Sequence, residues 1–104
     1  MLPPERIDND IAQGRLRLHR ADAVVVLGHV ALRGACRCAE CQFRRHHGMP
    51  INVPPDVRIT AIEPAGYGVQ LVFSDGHARG IYPWAYLNAL ASAAMAGEMA
   101  GTAY

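Results

Sequence analysis

Cys36, Cys38 and Cys41 stand within six residues of one another, spaced C-x-C-x2-C. Thiolates are soft donors, and tetrahedral zinc takes four N or S ligands with Zn–S near about 2.3 Å. A tight turn presents three sulfurs at that radius, so the cluster supplies most of a structural zinc site. Other chemistries fit less well. Three thiols cannot pair fully within one chain, and in a reducing compartment such a cluster reads first as metal or redox chemistry. A redox C-x2-C at Cys38 and Cys41 leaves Cys36 unexplained, and the sequence shows neither the preceding strand nor the following helix that lowers a thiolate's pKa. An iron–sulfur cluster wants four thiolates, and a histidine or a second subunit would have to complete it here. It stands as the alternative to zinc.

The fourth donor must come from His19, His29, His46, His47 or His77. His46 and His47 are nearest in sequence, beside Arg44 and Arg45. His77 has a geometric argument. Asp75-Gly76 suits the positive φ angles of a two-residue hairpin turn. On that register Ser74 faces His77 and Phe73 pairs with Ala78. Val69, Leu71 and Phe73 then share one face, while His77 points to the other and is free to reach a metal. The residues leave both options open, with His77 ahead.

The elements that must position these groups follow from hydropathy patterning. Arg15–His19 alternates at strand period, Arg20-Ala21-Asp22 can turn it, and Ala23–Leu27 is a β-branched run. Gly28–Arg33 reads as a connector and Gln42–Pro55, polar and containing His and Pro, as a loop. Val57–Ile62 and Tyr67–Phe73 are strand-like, and Ala78–Tyr82 is the returning strand of the Asp-Gly hairpin. Pro83 suits the first turn of a helix. Trp84, Leu87, Leu90, Ala91, Ala94 and Met95 then recur at helical spacing. The expected fold is α+β: a small antiparallel sheet of two hairpins plus a strand, packed on one C-terminal helix as a two-layer sandwich. Residues 1–104 are expected to form a single domain, with an ordered core over about 11–95 and a flexible tail over about 97–104.

Composition removes several function classes. The net charge is +1, which gives no bulk electrostatic case for nucleic acid or an anionic membrane. All ten basic residues are arginine, so no P-loop lysine exists. No apolar run approaches a membrane span, and Met1–Arg6 lacks the pattern of a secretory signal; the expected location is the cytoplasm. None of the five histidines is followed two residues later by Asp or Glu, as an H-x-D/E facial triad requires. No nucleophile–base–orienter set is legible, and Asp75 beside His77 is explained by the turn. The chain is therefore not expected to be an enzyme. Arg33, Arg37, Arg44 and Arg45 gather positive charge around the cysteines, as a solvated rim or as a docking surface for an acidic partner or small anion.

Two motifs taken together carry a resemblance. Leu32-Arg33-Gly34-Ala35-Cys36-Arg37-Cys38-Ala39-Glu40-Cys41 is one. Gly66-Tyr67 with Phe73-Ser74-Asp75-Gly76-His77 and Gly80-Ile81-Tyr82 is the other. They resemble the gamma-butyrobetaine hydroxylase-like N-terminal domain family, from about Ile11 to Leu90. The resemblance implies a two-layer α+β fold with zinc held by three cysteines and one histidine; residue by residue these are Cys36, Cys38, Cys41 and His77. In the larger hydroxylases this domain precedes a non-haem iron oxygenase domain, and similar domains are attached to P-loop ATPases that carry iron–sulfur clusters. This chain departs in its first hairpin, His19-Arg20-Ala21-Asp22, and over Gln42–Pro55. The function it implies is a non-catalytic, structural-zinc-binding module that mediates protein interaction or assists a partner enzyme. An iron–sulfur accessory or carrier protein is the alternative.

Overall fold

The computed structural model describes residues 3–95, with side chains through residue 93. The tail expected over 97–104 lies outside the described residues. Six strands and three helices follow in order: β1 (Arg6–Asp10), β2 (Arg15–His19), β3 (Val24–Gly28), α1 (His29–Gly34), α2 (Ala39–His46), β4 (Ile59–Pro64), β5 (Gly68–Phe73), β6 (Ile81–Pro83) and α3 (Trp84–Met95). The class is α+β, as the patterning implies. The strands divide into two three-stranded antiparallel sheets, β1-β2-β3 and β4-β5-β6.

The first sheet is built by strict alternation. Leu16 and Leu18 of β2 are buried, paired with Asn9 and Ile7 on one side and with Leu27 and Val25 on the other. Its opposite face carries the Arg6–Asp8, His19–Asp8 and Arg17–Asp10 ion pairs. Strand β1 is not expected from sequence. Arg-Ile-Asp-Asn-Asp has poor strand propensity, and pairing to β2 overrides it. Gly14, at φ +69°, closes the β1–β2 loop in the left-handed region that glycine tolerates.

The second sheet is less regular. β4 and β5 shift register between Ile59 and Ala61, a bulge that frees the backbone of Ile59. Both of its polar groups are taken by side chains from the other half of the molecule. The Ile59 N–H donates to His29 Nδ1 at 3.0 Å, and Asn9 Nδ2 donates to the Ile59 carbonyl at 2.9 Å. Arg58 Nε adds a bond to the Ile11 carbonyl at 2.8 Å. These bonds stitch the sheets together around one apolar core, completed by Val69, Leu71, Phe73, Tyr82 and the Trp84, Leu87, Leu90 and Ala91 face of α3. That helix lies against β3 and β6. Ala94 and Met95, expected on the same face, have side chains outside the described ones.

Three expectations need correction. Gly28–Arg33 is mostly helix α1 rather than a connector, and the loop expected over Gln42–Pro55 begins with the second half of α2. Six and eight residues are too few to show a periodic apolar face, and helices so short draw their stability from tertiary contacts. Pro83 ends β6 instead of opening the helix.

Candidate metal centre

The three cysteines come from one corner of the fold. α1 ends at Gly34, Cys36 follows in the loop, Cys38 is the N-cap residue of α2, and Cys41 lies in its first turn. The fourth donor arrives from the β5–β6 hairpin. Gly76 N–H donates to the Phe73 carbonyl and Phe73 N–H to the His77 carbonyl, at 3.1 and 2.8 Å. With Gly76 at φ +86°, this is a three-residue loop with a left-handed glycine rather than the expected two-residue turn. Beyond it the ladder returns to the expected register, with Val69 opposite Tyr82. Val69, Leu71 and Phe73 are buried in the core, and the His77 ring reaches the cysteines.

His77 Nε2 stands 3.0 Å from Cys36 Sγ, 3.5 Å from Cys38 Sγ and 3.8 Å from Cys41 Sγ. All four donor atoms lie within 4.8 Å of one another. Tetrahedral bonds to zinc would place sulfurs about 3.8 Å apart and nitrogen about 3.6 Å from sulfur. The residues thus fit a single ion, and the cluster is capable of coordinating one. His46 and His47 are not part of it. His47 Nδ1 lies 2.9 Å from the Phe43 carbonyl, and its ring stacks on Phe43. His19 pairs with Asp8, and His29 is buried between the sheets.

The electrostatics suit metal ligation. Burial pushes the Cys36 thiol up to about 12, so it would hold its proton unless a cation compensated the thiolate. Burial also acts on Cys38, but hydrogen bonds with the Cys41 backbone N–H, the Cys41 and Cys36 side chains and the Glu40 backbone N–H together outweigh it and hold this thiol below its ordinary value. A helix follows Cys38 after all, contrary to the sequence reading, and the N–H groups at its start contribute to acidifying the thiol. Burial, and then the charge of Arg33, lower the His77 pKa and favour the neutral imidazole a metal requires.

Sequence reasoning missed the residues that hold the donors in place. Arg33, expected on a solvated rim, is 8% exposed. Its Nε donates to Asp75 Oδ2 at 2.9 Å, and its Nη1 lies 3.7 Å from Cys41 Sγ. Asp75 Oδ1 accepts from the His77 backbone N–H at 3.2 Å. Although burial raises the Asp75 pKa, the Arg33 bond, the His77 backbone N–H and the neighbouring positive charge together outweigh it and hold the carboxyl below its ordinary value. One arginine therefore links a thiol donor to the turn that carries the histidine. Arg45 donates to the carbonyls of Cys36 and Gly34, both at 2.6 Å. Tyr86 Oη donates to the Ala35 carbonyl at 2.6 Å and Tyr82 Oη to the Leu32 carbonyl at 2.5 Å. Tyr82 is thus a core residue. Gly80 leaves room for the sulfur: a Cβ there would stand 2.7 Å from Cys36 Sγ. Partners so far apart in sequence leave no local signal.

No helix among the described residues is long and apolar enough to cross a membrane. The chain is similar in structure to a protein of unknown function of the DUF971 family from Acidithiobacillus ferrooxidans. Identity is 28% and the TM-score 0.69, over 86% of this chain and 92% of that one. It is also similar to two proteins with solution NMR structures. One is 28% identical over 97% of this chain and 84% of its own, at TM-score 0.69. The other is 30% identical over 95% of this chain and 79% of its own, at TM-score 0.70. No curated protein matches the chain. The family described as gamma-butyrobetaine hydroxylase-like, N-terminal, matches residues 8–88. That span contains the cysteine corner, the histidine turn and, but for the first two residues of β1, both sheets, and the chain belongs to this family.

Proposed function

We propose that this domain is a non-catalytic module stapled by one structural zinc ion, held by Cys36, Cys38, Cys41 and His77, and that it serves a protein partner or assists another enzyme. The convergence of four protein donors within 4.8 Å carries this reading. A closed set of four leaves no coordination position for water or substrate, which is the mark of a structural rather than a catalytic zinc site. The spacing also favours one ion over an iron–sulfur cluster, whose irons would hold the donors farther apart. Zinc with three thiolates and a neutral imidazole carries one net negative charge, and Arg33 is placed to offset it. The staple joins the α1–α2 corner to the β5–β6 turn across more than thirty residues of chain, so binding energy becomes folding energy. Thiols in such a site favour a reducing compartment such as the cytoplasm.

Elemental analysis of the untagged protein tests the ligand set. One zinc per chain is expected for wild type, His46→Ala and His47→Ala, and none for His77→Ala. A brown anaerobic preparation with stoichiometric iron would establish the iron–sulfur alternative instead. An unchanged melting temperature after complete chelation would remove the structural role.

A further inference from the structure

Beside the cysteine corner lies a groove of about 430 Å³ lined by Arg37, Gln42, Arg45, His46 and Tyr86. We infer that this groove binds the side-chain carboxylates of an acidic peptide segment on a partner protein. The inference rests on the reading of the domain as a partner-binding module and names the chemistry of the partner.

The two guanidinium groups are held in place before any ligand arrives. The Arg37 guanidinium carbon sits 3.9 Å above the centre of the Tyr86 ring. Its loop is tied down by Gln42 Nε2, which donates to the Arg37 carbonyl at 2.6 Å. Arg45 is fixed by its two bonds to the Cys36 and Gly34 carbonyls. Those bonds use part of a fork of five N–H donors, so the rest can serve a ligand. Fixing the donors in advance reduces the entropy lost on binding.

Among the described residues no Asp or Glu lines the groove to balance its charge. The nearest acidic side chain on α2, Glu40, stands 3.7 Å from both Arg44 and Arg79 instead. Paired guanidinium forks match the planar geometry of carboxylates. Nucleic acid suits the groove less well. The chain's net charge is only +1, and the Tyr86 face is covered by Arg37, which leaves only the small His46 ring as a platform for a base. Phe43, on α2 next to Gln42, is 55% exposed. An exposed aromatic beside arginines is the composition of a protein-binding surface, which favours a peptide over a free small anion.

The test uses the zinc-loaded full chain and fluorescence anisotropy at low ionic strength, with fluorescein-labelled hexaglutamate and hexaglutamine as probes. Hexaglutamate should bind and hexaglutamine should not, and added salt should weaken binding. Arg37→Glu should weaken hexaglutamate binding about tenfold or more, and His46→Glu should weaken it as well. Arg6→Glu, on the first sheet, should leave it unchanged. Arg37 and His46 are exposed, and zinc content with circular dichroism confirms that each variant folds; Arg37→Gln gives a milder check. Absence of hexaglutamate binding, or binding insensitive to Arg37→Glu, would overturn the inference. So would equal affinity for succinate, inorganic phosphate or a labelled decathymidylate. Failure here with zinc retained removes the groove alone, whereas failure of the staple appears in the metal analysis.

Discussion

In the first sheet every residue of β1 and of β3 finds its partner on β2 without a shift of register. In the second, β4 and β5 slip past each other at Ile59, and β6 contributes only three residues. The first sheet needs little beyond its own pattern: an inner row of Ile7, Leu16, Leu18, Val25 and Leu27 against the core, and an outer face of paired charges. The turn of the second sheet meets the α1–α2 corner, where side chains replace the ladder. There the carbonyls of Leu32, Gly34, Ala35 and Cys36 are taken by Tyr82, Arg45 and Tyr86. Four metal-binding side chains close the arrangement. A regular ladder specifies itself through burial, whereas the site is an irregular region whose shape depends on long-range polar bonds and, in the role proposed above, on a metal.

Removing the metal should break this comparison open. Hydrogen exchange after chelation is expected to show amides of α1, α2 and the Ser74–Ala78 turn losing protection by about a hundredfold or more. Apparent zinc-binding energies of about 10–16 kcal/mol make that scale accessible. The first sheet should lose less. Equal loss in both regions would mean that the domain unfolds as one unit and that the contrast is only geometric.

The converse change lies in the first sheet. Leu16 is fully buried, and Leu16→Ala should destabilise the fold by about 2–5 kcal/mol in urea titrations. The folded fraction should keep its full metal complement. Loss of zinc from still-folded protein would show that the sheet shapes the site directly.

What could be read from sequence follows the same division. The strands β2 and β3 are legible because Leu16, Leu18 and the valine run make alternation local. The cysteines are legible because their spacing is short, and His77 because Ser-Asp-Gly-His marks a hairpin whose register places it. The rest depends on partners far away in the chain. β1 is a strand only because β2 pairs with it. α1 and α2 are too short for a periodic signal. Arg33 is drawn inside by Asp75, forty-two residues on, and nothing around Arg33 distinguishes it from the exposed Arg37.

Gly80 probes how tightly the site is shaped. Gly80→Ala would bring a Cβ to 2.7 Å from Cys36 Sγ and 3.0 Å from the Tyr82 ring. A loss of about 1–3 kcal/mol is expected from overpacking, together with weaker metal retention in a chelator competition. Gly28→Ala, which meets open space, is the control and should leave metal retention unchanged. Equal retention in both variants would show that the corner yields easily, and would weaken the contrast with the sheet.

The smallest effect concerns the seam between the two regions. His29 is buried, and its Nδ1 accepts the Ile59 N–H at 3.0 Å, so the proton of the neutral ring sits on Nε2. Burial first, and the nearby charge of Arg58 second, hold its pKa below the ordinary histidine value. The folded state therefore takes up this proton at lower pH than the unfolded chain does. Above the unfolded value, about 6.5, the group adds no pH dependence. As pH falls below it the unfolded chain protonates first, and stability declines until the lowered folded pKa is reached. Protonation of Nδ1 then removes the acceptor for Ile59. Denaturant titrations from pH 7 to pH 5 should show a steeper decline for wild type than for His29→Gln, which has no titrating ring. Acid release of metal acts on both proteins alike, so the difference between the slopes isolates the seam. Parallel slopes would mean that His29 joins the sheets through packing alone.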